Sequence, residues 1–165
     1  MKESFLKMMR NLAYPVCIAS AACNNNRYAI TVSSITSVSL DPPTLLVCIN
    51  KSSSITEALR IGAKLNINFL APAQKEIASI CSSKESANKR FDNDLWDIDV
   101  NDVPFLKNSN AVAFSEVANI VEHATHMIVI LSLDRVILND GREPDPLLYF
   151  NGSYANIGLS HVNGR

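Results

Sequence analysis

The sequence has little glycine, and that scarcity excludes the common nucleotide-binding loops. Its 165 residues include five glycines, at positions 62, 141, 152, 158 and 164. Neither GxGxxG nor the phosphate-loop motif can be written with that spacing. GxSxG and HExxH are also absent, and only three histidines are present. Classical Rossmann and kinase chemistry is therefore excluded, and little material remains for a catalytic zinc site.

Strong charge and long apolar runs are lacking as well. The formal net charge is -1 and no stretch is strongly basic, so we expect neither a nucleic-acid nor a membrane partner. The fractions of hydrophobic (47%) and charged (19%) residues are typical of a globular domain, and no apolar run suits a membrane span. The length favours one domain over residues 1–165. We therefore expect a soluble, cytoplasmic, single-domain protein.

The cysteines and histidines form no strong metal motif. No CxxC pair occurs, so the four cysteines are expected to be reduced, packed thiols: Cys17, Cys23, Cys48 and Cys81. The pair His123-x-x-His126 is a weak metal signal, because residues three apart on a strand face opposite sides and chelation would require a turn. We predict no metal site.

The hydrophobic pattern predicts a mostly β domain. An amphipathic helix is expected over Phe5–Leu12, packed on the rest of the domain, and further helical segments over 55–60, 73–80 and 83–90. The predicted strands are 15–22, 28–38, 44–50, 65–70, 111–121, 127–138 and 147–150. The first two flank the turn Asn24-Asn25-Asn26, as a hairpin would, and 92–107 is expected to be a structured loop. Six or seven largely antiparallel strands with peripheral helices indicate a barrel rather than a doubly wound sheet.

The segment from Thr31 to Ser54 carries many hydroxyl and amide side chains on otherwise apolar strands. Such a wall suits a planar ring with carbonyl and imide edges. Ser54 and Glu57 have capping-box spacing, so a helix is expected to begin there, with its N-terminus and Lys51 favouring a phosphate. The same composition also fits an exposed strand face and an ordinary helix cap. The pattern alone leaves the ligand open.

The stretch Ala29–Ser53, AITVSSITSVSLDPPTLLVCINKSS, resembles the hallmark segment of the short-chain flavin reductase family. Shorter matches support the resemblance at Leu65–Leu70, Arg90-Phe91, Thr125-His126 and Leu147–Phe150 up to Tyr154. The resemblance covers nearly the whole chain and implies an FMN-binding split β-barrel. It implies an NAD(P)H:flavin oxidoreductase, expected to be a homodimer, that supplies reduced flavin to a flavin-dependent oxygenase such as 4-hydroxyphenylacetate 3-monooxygenase.

The same resemblance implies site residues. It places FMN or FAD against a set of fifteen residues and NADH or NADPH as the hydride donor beside His126, the predicted catalytic residue. The set is Thr31, Val32, Ser33, Ser34, Ser37, Val38, Cys48, Ile49, Asn50, Lys51, Ser52, Ser53, Arg90, Phe91 and Tyr149. Residues 31–34, 37 and 38 would line the ring and ribityl chain, whereas Asn50, Lys51, Ser53 and Arg90 would lie toward the phosphate.

Alternatives remain for these assignments. Arg90-Phe91 also fits a helix-end Arg followed by a core Phe, and His126 also fits a satisfied core histidine. The whole barrel could hold FMN as a non-catalytic electron carrier. An oxidase of the pyridoxamine phosphate type ranks last, because the further basic residues that it would need are not evident.

Two residues depart from the family pattern. Ala29 and Ala124 occupy positions where relatives commonly carry glycine. If those glycines permit positive φ or close ligand approach, the added methyl group narrows the site or reshapes the loop before His126. Nucleotide preference is affected more than flavin binding.

Overall fold

The computed structural model describes residues 1–139, 141, 143 and 145–157, which leaves His161 outside the described residues. Two α-helices lie in that part, α1 (Lys2–Arg10) and α2 (Lys75–Ser82). None of its helices is both long and apolar enough to cross a membrane. Its strands are β1 (Tyr14–Pro15), β2 (Cys17–Cys23), β3 (Asn26–Val32), β4 (Ile35–Leu40), β5 (Pro43–Asn50), β6 (Lys64–Phe69), β7 (Trp96–Ile98), β8 (Pro104–Leu106), β9 (Ala111–His123), β10 (His126–Leu138), β11 (Leu148–Phe150) and β12 (Ser153–Ala155).

Seven of the strands form one antiparallel sheet in the order β3-β2-β6-β9-β10-β5-β4. Alternate residues of β2, β5, β6 and β10 face the same core, which Val47, Leu65 and Leu131 fill without measurable exposure. Because strands from both ends of the sheet contribute to that core, and β3 contacts β5, the sheet curls on itself. The predicted mostly β barrel is confirmed.

The first hairpin is also confirmed. Strands β2 and β3 pair antiparallel from Cys17↔Val32 to Cys23↔Asn26. The turn residues Asn24 and Asn25 both have positive φ, 51° and 62°. Asparagine tolerates that conformation, which the mirror-image turns of two-residue hairpins require.

The predicted single strand over 28–38 is wrong, because the chain breaks at Ser33-Ser34. Strand β3 ends at Val32 on one edge of the sheet and β4 begins at Ile35 on the other. The carbonyl oxygen of Ser34 accepts a hydrogen bond from the amide of Cys48 at 3.0 Å. The two edge strands β3 and β4 do not pair with each other, and the gap between them is the split of the barrel.

A second apolar cluster lies outside the barrel, where α2 covers β2 and β3. Ile18 and Ala29 of the strands pack with Ile77 and Ala78 of the helix, and each is almost fully buried. The Thr31 hydroxyl donates to the Ala78 carbonyl, which ties the last turns of α2 to the edge strand. Helix α2 therefore forms one side of the opening.

The predicted loop over 92–107 contains a small hairpin, β7–β8, in which Trp96 pairs with Leu106. Polar side chains that point outward from β2 and β6 hold it. Ser20 donates to the Pro104 carbonyl at 2.6 Å, and Asn68 accepts from the Leu106 amide at 2.7 Å. These bonds satisfy side chains that are buried beneath the hairpin.

A second small sheet, in the order β1-β11-β12, stands beside the same opening. Its β11–β12 hairpin turns at Asn151-Gly152, where both residues have positive φ, 47° and 83°. Strand β12 was not predicted, although Asn-Gly between two β-prone runs is the strongest short hairpin signal.

Three helix predictions need correction. Helix α1 forms, but none of its residues is buried, so it does not pack into the core of the domain as expected, and Met9 alone is half-buried, where its sulfur accepts from the Tyr14 hydroxyl. The predicted helix at 55–60 is a 3₁₀ turn, Ser54–Ala58, whose N-cap is Ser53 and not the predicted Ser54; it has no side-chain cap, and the Ser54 hydroxyl accepts from Arg90. The segment 83–90 is helical only over Ala87–Lys89, a 3₁₀ turn.

The two alanines at glycine-like positions differ in backbone conformation, and this difference predicts opposite effects on stability. Ala124 lies in the two-residue loop between β9 and β10 with φ at 47°, whereas Ala29 is fully buried in β3. Because a left-handed conformation costs an L-residue about 1–2 kcal/mol, Ala124→Gly should raise the free energy of unfolding by about 1 kcal/mol. Urea unfolding followed by circular dichroism measures the change.

Ala29→Gly is the matched control. It should lower the free energy of unfolding by about 1–2 kcal/mol, since a packed methyl group is lost and glycine weakens a strand. A neutral or destabilising Ala124→Gly would contradict the expected strain at that loop.

Candidate functional site

A cleft of about 900 Å³ occupies the opening of the barrel. Its walls come from the end of β3, the segment after β5, the end of α2, the loop up to Arg90, and the β11–β12 hairpin. This volume is within the range of small-molecule and cofactor sites. Of the predicted flavin-binding residues, eight line the cleft: Thr31, Val32, Ser33, Lys51, Ser52, Ser53, Arg90 and Tyr149.

The wall from β3 presents alternating side chains. Val32 points into the barrel core, while Thr31 and Ser33 are half-buried at the cleft. Since Thr31 already donates its hydroxyl proton to Ala78, its oxygen is left as an acceptor for a ligand. The Ser33 hydroxyl makes no hydrogen bond within the described residues, so it can donate or accept.

The segment after β5 is organised differently from the expectation. The Ser52 amide donates to the Asn50 side chain at 2.9 Å, and the Ser53 amide donates to the Asn50 carbonyl at 3.0 Å. These two amides are therefore occupied, and the turn after them is too short to act as a helix N-terminal anion site. This arrangement does not support the expected helix N-terminal phosphate site, and the side chains of the cleft remain as the candidates for binding an anion.

Arg90 is the most unusual of those side chains. It is 6% exposed, donates from Nη2 to the Ser83 carbonyl at 2.9 Å, and contacts the Ser54 hydroxyl from Nη1 at 3.5 Å. Its Nε has no hydrogen-bond partner among the described residues. A buried guanidinium with an unused donor beside a cleft requires an acceptor, and an anion satisfies both its charge and its geometry.

Lys84 adds a second cation that the sequence reasoning missed. Lys84 lies on the same loop as Arg90, and its Nζ donates to the Ser52 hydroxyl of the segment after β5 at 3.4 Å. The run Ser82-Ser83-Lys84 repeats the composition of Lys51-Ser52-Ser53, which was the available signal. Lys51 is less free, because its Nζ pairs with Glu122 at 2.6 Å.

The far wall is aromatic. Tyr149 and Tyr154 face each other across the β11–β12 hairpin, with ring centroids 5.6 Å apart at an interplanar angle of 76°. Both line the cleft. Tyr154, which packs against the α2-side cluster, braces the 40% exposed Tyr149. An aromatic surface on this wall suits a planar ligand.

The remaining predicted flavin residues do not line the cleft in this chain: Ser34, Ser37, Val38, Cys48, Ile49, Asn50 and Phe91. Ile49 is 1% exposed inside the barrel, so its side chain is unavailable to a ligand. Phe91 turns away and packs on Trp96 at 4.9 Å, which agrees with the alternative of a core Phe. For these residues a cofactor role rests on the resemblance alone.

His126 is exposed and lies outside the cleft, at the start of β10. It pairs across the sheet with Asn50 on one side and His123 on the other, and its Nδ1 is 2.9 Å from the Thr125 hydroxyl. It is therefore one strand away from Lys51, and not a core residue. The turn that a two-histidine metal site would need is present, but no third potential ligand joins the pair among the described residues.

A split antiparallel barrel with a hydroxyl-rich, cationic and partly aromatic cleft has the shape and chemistry to suit a planar, anionic small molecule. Residues 9–158 match the family described as "Flavin reductase like domain". The match covers most of the chain, and the chain belongs to the flavin reductase family.

Curated relatives extend the match at the level of sequence. The chain is 29% identical over 154 residues to "FMN reductase (NADH) RutF" of Pseudomonas syringae pv. syringae (strain B728a), covering 93% of this chain and 85% of that protein. It is 30% identical over 155 residues to the reductase component of "FADH(2)-dependent resorcinol hydroxylase" of Rhizobium sp. (strain MTP-10005), covering 92% and 85%.

Solved structures establish the fold independently. The crystal structure of a flavin reductase domain protein from Arthrobacter sp. FB24 superimposes with a TM-score of 0.86 at 24% identity, covering 94% of this chain and 95% of that one. The split-barrel prediction is confirmed.

Thiol reactivity tests the packing around the cleft. Burial raises the pKa of the Cys81 thiol to about 12, although the nearby Arg90 lowers it, and burial alone raises the pKa of Cys17 to about 12. Because only the thiolate reacts, alkylation at pH 8 should modify the half-buried Cys23 and Cys48 first, with Cys17 and Cys81 slower by about two to three orders of magnitude. Iodoacetamide labelling with peptide mass mapping measures the order.

All four cysteines should react alike in guanidinium chloride. Since the two buried thiols hold their protons more tightly in the folded chain, the stability they contribute is present below pH 9 and is lost as the pH rises toward 12. Labelling of native Cys81 as fast as Cys23 would contradict the described burial.

Proposed function

We propose that this protein is an NAD(P)H-dependent flavin oxidoreductase, which transfers hydride from NADH or NADPH to FMN or FAD. One observation carries the proposal: in a chain of the flavin reductase family, the buried Arg90, whose Nε has no partner among the described residues, lines a cleft walled by serines and a tyrosine pair. The activity named for the relative from Pseudomonas syringae, "FMN reductase (NADH)", supports the same reaction.

The residues of the cleft fit a flavin. Arg90, Lys84 and the hydroxyls of Ser52, Ser53 and Ser54 lie together and would hold the phosphate. Thr31 and Ser33 would hydrogen-bond the polar edge of the ring or the ribityl chain, and Tyr149 would lie against an apolar surface. Among the described residues that line the cleft, three cations, Lys51, Lys84 and Arg90, stand against the single carboxylate of Glu57, so its charge favours an anion.

The chemistry belongs to the cofactor, and the protein supplies alignment. When bound, a flavin accepts the hydride in its ring system. The chain's own task is to fix that ring through Thr31, whose hydroxyl is locked onto α2, and through Tyr149, which Tyr154 braces. No residue needs to act as nucleophile or general base, which agrees with the absence of such a constellation from the sequence.

His126 would stand on the nicotinamide side. Its imidazole is exposed at the tip of the β9–β10 hairpin, where it is open to a second ligand that enters from solvent. The amide of Lys51 donates to the Thr125 carbonyl at 3.0 Å, which couples the hairpin tip to the edge of the cleft. A dinucleotide that spans the cleft and this tip would meet both.

Anaerobic stopped-flow mixing tests the reaction. The absorbance of oxidised FMN should bleach when NADH is added in the presence of the chain, and a parallel series with NADPH and with FAD establishes the preferred pair. Flavin that binds but fails to bleach with either nucleotide would reject the reductase and leave a non-catalytic FMN-binding electron carrier.

His126→Ala narrows the result. If His126 acts on the nicotinamide side, the variant should raise the KM for NADH with the affinity for FMN unchanged, and His123→Ala, its cross-strand neighbour, is the matched control. Unchanged NADH kinetics would remove His126 from the active site without affecting the flavin assignment.

A homodimer and an oxygenase partner complete the proposal. The reductase component of resorcinol hydroxylase supports an oxygenase that receives reduced flavin, and a cytoplasmic location would suit that exchange. The apolar side chains of α1 support the dimer, because Phe5, Leu6 and Met8 are 54%, 51% and 56% exposed. An isolated helix of nine residues has only marginal stability in water. We therefore propose that a second copy of the chain packs on the apolar side of α1.

Light scattering after size-exclusion chromatography tests the dimer. The wild-type chain should elute with twice its own mass, and Phe5→Glu should shift it toward the monomer because a charge would be buried in the interface. Val100→Glu is the control, since Val100 is 95% exposed on the β7–β8 turn. A monomeric wild-type chain, or equal effects of the two substitutions, would contradict the role of α1.

A further inference from the structure

Trp96 is the single tryptophan of the chain, and it holds the backbone of Arg90, a residue that lines the cleft. Its indole Nε1 donates to the Arg90 carbonyl oxygen at 2.6 Å. Trp96 itself does not line the cleft, so any effect that it has on a ligand must act through Arg90.

The segment that carries Arg90 has little regular structure of its own. Between the end of α2 and β7 it forms only the short turn Ala87–Lys89. The amide of Arg90 reaches the Ala87 carbonyl at 3.5 Å, the limit of a hydrogen bond. The position and orientation of the Arg90 guanidinium therefore depend on side chains that lie outside this segment.

Trp96 provides that fixation because it is anchored to the barrel. It lies on β7, whose partner β8 is held by Ser20 and Asn68 through bonds of 2.6 and 2.7 Å. A third bond, from the Asn66 side chain to Asp99 at 2.9 Å, secures the turn of the same hairpin. The three anchoring side chains are at most 1% exposed, so the hairpin is a rigid support.

Packing reinforces the same contact. The Trp96 ring lies 4.9 Å from the ring of Phe91, and the Arg27 guanidinium of β3 also lies over the Phe91 ring at 4.9 Å. Asn93 donates a second, longer hydrogen bond to the Arg90 carbonyl at 3.3 Å. The residue next to Arg90 is thus packed against side chains of both β3 and β7, while Arg90 itself lines the cleft.

We infer that Trp96 is a positioning residue for anion recognition: its indole N–H holds the Arg90 backbone so that the guanidinium stays aimed at the phosphate of the flavin. The inference rests on the proposed function, because it presumes that the ligand of Arg90 is that phosphate. It predicts that Trp96 governs the affinity for FMN and not the affinity for riboflavin, which has the same ring and ribityl chain without the phosphate.

Isothermal titration of the full-length protein with FMN and with riboflavin tests the inference. Trp96→Phe retains an aromatic ring against Phe91 but loses the N–H donor, so it should weaken FMN binding about tenfold and leave riboflavin binding unchanged. Arg90→Lys is the reference variant, and it should weaken FMN binding at least as much as Trp96→Phe does. Phe105→Leu, an aromatic substitution in the same hairpin that packs on Phe114 at 5.3 Å, should change neither affinity.

Asn93→Ala is the second variant in case Trp96→Phe fails to fold, and it should weaken FMN binding about threefold through the same carbonyl. Equal losses for FMN and riboflavin in Trp96→Phe, or no loss for FMN, would overturn the inference while Arg90→Lys still separates the two ligands. If Arg90→Lys also fails to separate them, the phosphate site of the proposed function is wrong, and the inference falls with it.

Discussion

The site depends on a sheet that curls but does not close. Its edge strands β3 and β4 are consecutive in the chain, yet they pair with β2 and β5 instead of with each other. The break at Ser33-Ser34 leaves main-chain and hydroxyl groups at the rim, where the Cys48 amide donates to the Ser34 carbonyl. Because unpaired strand edges are costly to leave bare, α2 and the β11–β12 hairpin are placed against this opening, and the space between them is the cleft.

Within that opening the structure places a buried charge whose donors are only partly satisfied. A guanidinium on a residue that is only 6% exposed is destabilising unless its donors have partners, and among the described residues Ser83 and Ser54 supply only some of them. A bound anion that pairs with Arg90 would therefore raise the free energy of unfolding of the chain. The buried side chains of Ser20 and Asn68 also support Arg90 indirectly. They fix the β7–β8 hairpin, and Trp96 of that hairpin donates to the Arg90 carbonyl.

Much of the fold follows from local patterns, and the exceptions have identifiable causes. The alternation of Leu65 and Ile67 with Asn66 and Asn68 predicts the strand, but not that both asparagines are buried beneath another element. The period of apolar residues predicts α1, but a single sequence does not show that Phe5, Leu6 and Met8 remain exposed in the described part of the chain. The continuous β-prone run over 28–38 hides the break, because Ser33 and Ser34 are compatible with a strand, and only the tertiary arrangement puts β3 and β4 on opposite edges of the sheet.

The candidate site is predictable where the polar residues are close together along the chain. Thr31–Ser33 and Lys51–Ser53 meet as expected, whereas Lys84, Glu57 and Tyr154 reach the cleft from elements whose approach depends on tertiary packing. The capping-box spacing at Ser54 predicts backbone recognition of a phosphate, but Asn50 engages the amides of Ser52 and Ser53 first. Asparagine side chains commonly form local hydrogen bonds that compete with the start of a helix. In the proposed site, phosphate binding would therefore fall to Arg90 and Lys84.

The two halves of the proposed reaction consequently rest on different kinds of structure. The flavin half lies in a preformed cleft within one chain, where buried bonds fix each wall. The nicotinamide half lies at a two-residue hairpin tip, where Ala124 is held at positive φ and His126 is exposed. Rigid support suits a ring that must be aligned, and an open tip suits a nucleotide that must arrive and depart in every turnover. Under the proposed function, discrimination between NADH and NADPH would belong to the exposed tip, and discrimination between flavins would belong to the cations of the cleft.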